Sequence, residues 1–215
     1  MTTSVKNLDS KRLGTVGFIG RFKPLHNGAV LALDMLCEQA SKVKIGIGSS
    51  NKYNLRNPFT AEETEAMVRA YLKPKFNNFE IIPVPDFAHD TRYADGQKWK
   101  QYVVDNFGPL NYFVSGNSFV KSLLDSSYQV IHPAYCIPRE RWLILRATEV
   151  RVEMAKGGDN WKNLVPRPVV DYILNNNLLV RFQSEFGAET LQEANSENYK
   201  RTETREEETN HAREK

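Results

Sequence analysis

The amino-acid sequence predicts an α/β fold in which a parallel sheet is covered by helices on both faces. Two observations support this class, together with a general rule of sheet topology. Short β-branched and apolar runs alternate with longer amphipathic segments as far as about residue 133. Clusters of glycine, serine or proline separate the two kinds of segment. Strands that alternate with helices usually form a parallel sheet, and such sheets bind ligands at the carboxyl ends of their strands.

The first four elements have clear local signals. TVGFIG, at residues 15–20, is β-branched and apolar and ends in glycine, which predicts a buried strand. Residues 27–40 carry their apolar side chains mostly on one helical face. Residues 41–50 are predicted to form a second strand that runs into a Gly/Ser turn. A helix that ends at Leu72 is predicted, with Thr60 as its N-cap and Glu63 at the capping-box position.

The next five elements continue the alternation. FEIIPVP, at 79–85, predicts a third strand that its prolines stop, and 96–107 predicts a helix that a Gly-Pro pair ends. LNYFVSG, at 110–116, predicts the fourth strand, and a short helix is expected at 117–125. YQVIHP, at 128–133, predicts a short fifth strand.

After the fifth strand the pattern becomes helical. Helices are predicted at 148–156 and 166–176, the second opening on the Pro-rich turn PRP. The sequence therefore predicts three parts: a flexible N-terminus at 1–13, one domain at 14–180 and a charged, disordered C-terminal tail at 181–215.

Composition excludes several classes of protein. A net charge of +3 is too small a surplus to indicate a nucleic-acid binder. The two cysteines, Cys37 and Cys136, have no CxxC spacing, which argues against a zinc site or a disulfide framework and suits a reducing compartment. No apolar run has signal-peptide or membrane-spanning character, so the cytoplasm is the expected location.

GRFKPLHNG contains the most suggestive turn. Gly20 and Gly28 bracket a change from strand to helix, where unpaired backbone N–H groups and the helix dipole favour a phosphate. Arg21 and Lys23 add cations, and His26 adds a hydrogen-bond donor. An ordinary turn with solvated basic side chains is equally compatible with these residues. Neither the Walker A pattern nor GxGxxG is present.

Other candidate positions are ambiguous on their own. Thr148 is expected to cap a helix and to place Arg151 near its start, where a guanidinium can bind phosphate oxygens; an exposed arginine is the plainer interpretation. Asn117 in SGN suits either a base edge or a plain turn. Trp99 suits either the core or a stacking surface, and His89–Asp90 is more often a polar loop than a metal site.

Taken in order, these segments resemble a known family. GRFKPLHNGA is similar to the GRFxPxHxGH signature of the HxGH nucleotidylyltransferases. IGIGSSNKYNLRNPFTAEE resembles the second-strand turn and NPFT segment of the archaeal-type nicotinamide-mononucleotide adenylyltransferases. IIPVPD, Trp99, YFVSGNSFVKSLL, ATEVR, GGDNWKNLVP and PVVDYI follow in that family's order. The resemblance covers residues 15–175, and the number of motifs in order makes it specific.

This resemblance implies a Rossmann-like sheet with a small C-terminal helical part, built to bind ATP and nicotinamide mononucleotide. It implies that the mononucleotide phosphate attacks the α-phosphate of ATP, which yields NAD and pyrophosphate. Mg²⁺ is expected to accompany the triphosphate, with no ligands from protein side chains. The implied partners are these small molecules and other copies of the chain, since the family often forms homo-oligomers; no nucleic acid or membrane is expected.

The resemblance also implies roles for individual residues. His26 is expected to contact the triphosphate, and Arg151 its β and γ phosphates. Trp99 is expected to stack on nicotinamide, with Ser49 and Asp86 on the same mononucleotide side. The ATP-binding set implied in this way is Gly20, Arg21, Phe22, Lys23, Gly28, Gly116, Asn117, Arg146, Thr148 and Arg151.

Three positions depart from the family's pattern. Ala29 stands where the second histidine of HxGH normally contacts the α-phosphate. Arg146 replaces a serine, and Lys23 replaces the glutamine common in archaeal members. Loss of a donor such as that second histidine typically costs about two to three orders of magnitude in rate.

Three accounts of Ala29 remain open at this point: an engineered substitution, a natural change compensated by Lys23 or Arg146, or a nucleotide-binding protein with little turnover. Transfer to another phosphorylated acceptor is also open, because the loop at 86–97 is unusually long.

Overall fold

The computed structural model describes residues 13–88, 91–141 and 143–196. Its centre is one sheet of five parallel strands in the order β3-β2-β1-β4-β5. The predicted α/β class is therefore confirmed. The strands are β1 (Thr15–Gly20), β2 (Lys42–Gly48), β3 (Phe79–Val84), β4 (Tyr112–Val114) and β5 (Val130–Ile131).

The strand order indicates that a ligand would bind beside β1. Val16 pairs with Val43 of β2 on one side and with Tyr112 of β4 on the other. The chain moves outwards through β2 and β3 and then returns to the opposite side of β1 at β4. In open α/β sheets, ligands bind beside such a reversal, at the carboxyl ends of the strands.

Helices cover both faces of the sheet. Alternate side chains of a strand point to opposite faces, and two hydrophobic clusters result. Ile45 belongs to the first cluster and Phe113 to the second. The helices are α1 (Asn27–Gln39), α2 (Ala61–Leu72), α3 (Gln97–Phe107), α4 (Ser118–Leu124), α5 (Ala147–Ala155), α6 (Arg167–Asn175), α7 (Leu178–Phe182) and α8 (Ala188–Asn195).

Local signals explain most helix ends, with one correction. The capping box predicted from Thr60 and Glu63 is present, with the Glu63 carboxylate 2.9 Å from the Thr60 nitrogen. The predicted cap of α5 was wrong by two positions. Arg146 is the N-cap, and Thr148 lies inside the first turn. Glu149 accepts from the Arg146 N–H at 3.2 Å, so a carboxylate on the third helical residue satisfies this helix start.

The predicted tail at 181–215 was wrong for its first part. Helices continue through Asn195, with a π-helical turn at Gln183–Gly187 joining α7 to α8. Phe182 is fully buried, and its ring lies 6.4 Å from that of Phe59. Tertiary burial therefore stabilises a segment whose composition suggested disorder. Residues 1–12 and 197–215 lie outside the described residues, as do His89 and Asp90. No helix in the described ranges is long and apolar enough to cross a bilayer.

Candidate active site

The turn between β1 and α1 is tightly packed. Phe22 is buried at a positive φ of 52°, and its ring fills the space beside Gly20. A Cβ on Gly20 would lie 2.6 Å from that ring, so glycine is required for the close approach. Arg21, between them, is exposed. The turn is thus a fixed structure that carries the chain from the sheet to the start of α1.

His26 ends this turn and caps α1. Its Nδ1 accepts from the Ala29 N–H at 3.3 Å. Burial, followed by the nearby charge of Arg151, lowers the pKa of His26 from 6.5 to about 4. The imidazole is therefore neutral near pH 7. Because Nδ1 accepts a hydrogen bond, the ring proton resides on Nε2, which can donate to an anion.

Two small residues follow in the first turn of α1. Ala29 is half-buried, packs against the main hydrophobic cluster and offers no polar side-chain atom. A Cβ on Gly28 would lie 3.0 Å from the Leu143 carbonyl oxygen and 3.1 Å from that of Leu145. The segment that leads into α5 therefore passes directly over the start of α1, and this contact requires the glycine.

Arg151 joins α5 to the same turn. Its side chain is buried, Nη1 donates to the Lys23 carbonyl at 3.1 Å, and Nη2 donates to Thr148 Oγ1 at 3.1 Å. The structure thus brings together Arg151, Thr148 and His26, three residues that the family resemblance assigns to ATP. Arg146 is half-buried at the N-cap of α5.

The Lys23 side chain lies elsewhere than expected. It has no exposed surface, and its ammonium donates to the carbonyls of Ser49 at 3.0 Å and Lys52 at 3.4 Å. Burial lowers its pKa to about 8, with the charge of Arg21 adding to the effect. This placement contradicts the predicted contact between the Lys23 side chain and ATP.

A cavity of about 230 Å³ opens beside the ends of β2 and β3. The three residues assigned to the mononucleotide side, Ser49, Asp86 and Trp99, all line it. Trp99 is half-buried and also packs against the second hydrophobic cluster, so the core and cavity roles coexist. The cavity wall also contains three aromatic residues that the sequence did not single out: Phe87, Tyr93 and Phe119. Two of them lie within the 86–97 loop, which was a usable signal.

Asn51 is a second residue that sequence reasoning missed. Its side-chain nitrogen donates to the Asp86 carbonyl at 2.9 Å, and its oxygen accepts from the Asp86 N–H at 2.8 Å. The Asp86 carboxylate accepts from the Ala88 N–H at 2.8 Å. The loops that follow β2 and β3 are thus held together at the mouth of the cavity.

The SGN turn after β4 is used partly for capping. Asn117 Oδ1 accepts from the N–H groups of Phe119 at 2.8 Å and Val120 at 3.2 Å, so this oxygen caps α4. A Cβ on Gly116 would lie 3.3 Å from Nε2 of His132, a neighbour that no local pattern indicated. The small residue therefore keeps the turn close to the end of β5.

Comparison with solved structures confirms the fold. The chain matches a bifunctional NMN adenylyltransferase/ADP ribose pyrophosphatase from Francisella tularensis, solved with AMP and a manganese ion, at a TM-score of 0.61 and 21% identity. The match covers 90% of this chain and 56% of that one, so the chain spans little more than half of that protein. A second structure of the same protein matches at a TM-score of 0.64.

Sequence comparison identifies the family. Residues 17–206 match the model of the cytidylyltransferase-like family. A nicotinamide-nucleotide adenylyltransferase of Thermococcus kodakarensis is 37% identical over 161 residues, 73% of this chain and 80% of that protein. Its counterpart in Pyrococcus abyssi is 36% identical over the same shares of the two chains. The chain therefore belongs to the cytidylyltransferase-like family and, within it, to the nicotinamide-nucleotide adenylyltransferases.

Proposed function

We propose that this protein transfers the adenylyl group of ATP to nicotinamide mononucleotide and forms NAD and pyrophosphate. A phosphate oxygen of the mononucleotide attacks the α-phosphorus, and the bond from that phosphorus to the β-bridging oxygen breaks. The observation that carries the proposal is the adjacency of two subsites. His26 and Arg151 meet after β1, and Ser49 and Trp99 line a cavity after β2 and β3. The relatives bearing this activity in their names support the choice of substrates.

The chain supplies positioning and charge neutralisation rather than a nucleophile. Nε2–H of His26 donates to the triphosphate, and the Arg151 guanidinium, held by the Lys23 carbonyl and Thr148, binds phosphate oxygens. The positive end of the α1 dipole adds to this field. Groups held in place before substrate arrives stabilise the developing charge without reorganising during the reaction.

We propose Mg²⁺ as the accompanying ion. Groups of three or more His, Cys, Asp or Glu side chains that could hold a metal do not occur among the described residues. Mg²⁺ commonly binds substrate phosphates with few protein ligands, so the proposed ion arrives on the triphosphate. When bound, the ion offsets charge on the phosphates of ATP.

The cavity wall supports nicotinamide as the acceptor base. Trp99, Phe87, Tyr93 and Phe119 present aromatic surface around a space of about 230 Å³. A pyridinium ring is flat and cationic, so it interacts favourably with such surface. The proposed orientation places the mononucleotide base here and its phosphate towards His26.

The test is an acceptor and donor panel. Purified protein is incubated with Mg²⁺, ATP or CTP, and a series of phosphorylated acceptors, with pyrophosphate release and NAD formation measured in parallel. We expect turnover with ATP and nicotinamide mononucleotide, at a rate well above that with any other pair of nucleotide donor and phosphorylated acceptor. Release of pyrophosphate with a different acceptor and not with this one would contradict it.

Ala29 specifically favours a second candidate, a nucleotide-binding protein with little turnover, because a methyl group cannot donate to the α-phosphate. Calorimetry distinguishes the two functions. Tight binding of both nucleotides without pyrophosphate release, in the original protein and in Ala29→His alike, would favour the second candidate.

Two properties of the working protein complete the proposal. We expect a homo-oligomer, measured by light scattering on the full chain. We also propose the cytoplasm as its location. Cys37 and Cys136 are buried thiols without a disulfide, which suits a reducing compartment.

A further inference from the structure

Lys23 connects the two subsites through opposite ends of one residue. On the phosphate side, its backbone carbonyl accepts from Arg151 Nη1 at 3.1 Å. On the cavity side, its ammonium donates to the carbonyls of Ser49 and Lys52, at 3.0 and 3.4 Å. The residue is completely buried between these partners. A displacement of either partner would therefore reach the other through a single buried residue.

The turn at residues 49–52 forms part of the cavity wall. Ser49 lines the cavity with a positive φ of 53°, and its carbonyl accepts from the Lys52 N–H at 3.1 Å as well as from Lys23. A positive φ at a residue other than glycine costs free energy and persists only when neighbouring contacts hold it. Asn51 anchors the same turn to Asp86. The turn is thus held from two sides, by Lys23 and by the loop after β3.

Burial of an ammonium group is unfavourable unless its donors are used. Both carbonyl contacts use donors of Lys23, and the negative charges of Glu62 and Glu63 oppose the lowering of its pKa, which remains about 8. A neutral amine also carries N–H donors, so the link to the turn does not depend on the charge.

We propose that Lys23 is a positioning residue that fixes the 49–52 turn relative to Arg151 and so couples mononucleotide binding to ATP binding. The inference rests on the proposed function, because it takes the cavity as the mononucleotide subsite. It assigns Lys23 no contact with phosphate. Removal of its hydrogen-bond donors should therefore impair the mononucleotide subsite selectively.

The test compares Lys23→Met with Lys23→Gln by calorimetry on the full chain, with nicotinamide mononucleotide and α,β-methylene-ATP as ligands. Both variants lack the charge, but only glutamine retains a donor. We expect Lys23→Met, which removes both carbonyl contacts, to weaken mononucleotide binding about tenfold. Binding of the ATP analogue should change little, and Lys23→Gln should recover most of the lost affinity.

A second measurement addresses coupling. The mononucleotide Kd is determined with and without saturating analogue, and the ratio should fall towards one in Lys23→Met. Equal weakening of both ligands, or equal defects in the two variants, would overturn the proposal, as would unchanged mononucleotide affinity in Lys23→Met.

A third variant keeps the test decisive if Lys23→Met does not fold. Asn51→Ala releases the exposed anchor of the same turn and should also weaken mononucleotide binding selectively; unchanged affinity would overturn the inference. An original protein that binds neither ligand would instead refute the proposed function, so the two failures are distinguishable.

Discussion

His26 and Ala29 are joined by a hydrogen bond in which the backbone N–H of Ala29 donates to Nδ1 of His26 at 3.3 Å. This bond fixes the imidazole ring and leaves Nε2 as the donor. It involves only the backbone of Ala29, so a larger side chain at that position is compatible with it. His26 is therefore held in place, while the Ala29 position contributes no side-chain donor.

Restoring a donor at that position should raise the rate. In Ala29→His we expect kcat for NAD formation to increase by about two orders of magnitude, since the added imidazole can stabilise charge on the α-phosphate. The Kd for ATP should change much less, because the gain arises in the transition state. Steady-state kinetics with calorimetry separates the two quantities.

Ala29→Leu is the matched control for side-chain size. It should not raise kcat, because it adds bulk without a donor. If the original protein turns over and Ala29→His is no faster, another group already stabilises charge on the α-phosphate.

His26 should make the fold sensitive to acid. Its folded pKa of about 4 lies below the ordinary 6.5, so the neutral ring stabilises the fold fully above pH 6.5, and this contribution is lost as the pH falls through about 4. The loss amounts to about 3 kcal/mol by pH 4. Urea unfolding of the original protein and of His26→Asn, from about pH 7 to about pH 4, measures it.

Asparagine is the suitable replacement because it also caps helices and does not titrate in this range. The free energy of unfolding of His26→Asn should fall less steeply with acidity. The same pH dependence in both proteins would show that the imidazole is not held in its neutral form.

Arg151→Lys should weaken ATP binding by at least about tenfold. Lysine keeps the charge, but its ammonium lacks the planar geometry by which the guanidinium donates to both the Lys23 carbonyl and Thr148. Thr148→Val, which removes one hydroxyl partner and keeps the guanidinium, should have a smaller effect. Calorimetry measures the Kd for ATP of each variant. An unchanged Kd in Arg151→Lys would show that Arg151 does not bind phosphate.

Gly28→Ala should destabilise the protein although alanine favours helices. The new Cβ would lie 3.0 and 3.1 Å from two backbone carbonyl oxygens, at Leu143 and Leu145, which cannot move without shifting the segment before α5. A loss of about 1–3 kcal/mol is expected from such overpacking. Gly158→Ala is the control, because no atom lies within 4 Å of its added Cβ. Equal unfolding free energies in the two variants would contradict the close contact.

Sequence patterns predicted the fold wherever local physics determines it. β-Branched runs, one capping box and the Gly-Pro stop placed the strands and most helices within a few residues. The burial of Lys23 was not predictable in this way, because its partners Ser49 and Lys52 lie 26 and 29 residues along the chain. The position of Lys23 in a glycine-bounded basic turn suggested phosphate binding instead.

The C-terminal helices were missed for the same reason. Arg181 forms a bidentate ion pair with Glu63, at 2.5 and 2.7 Å, across 118 residues of sequence. This ion pair compensates both charges and helps to hold α7 against the start of α2. The C-terminal segment that contains α7 and α8 is itself rich in polar residues, so its composition did not indicate helices. The cavity residues Ser49, Asp86 and Trp99 were found through the family resemblance, since no local pattern unites three separate loops.

The most direct test of adenylyl transfer is to follow the α-phosphorus of ATP. The protein is incubated with Mg²⁺, nicotinamide mononucleotide and ATP labelled at the α-phosphorus or, in parallel, at the γ-phosphorus. The account predicts α-label in NAD and γ-label in pyrophosphate, with faster incorporation in Ala29→His. Absence of labelled NAD from both proteins, or γ-label in the nucleotide product, would contradict it.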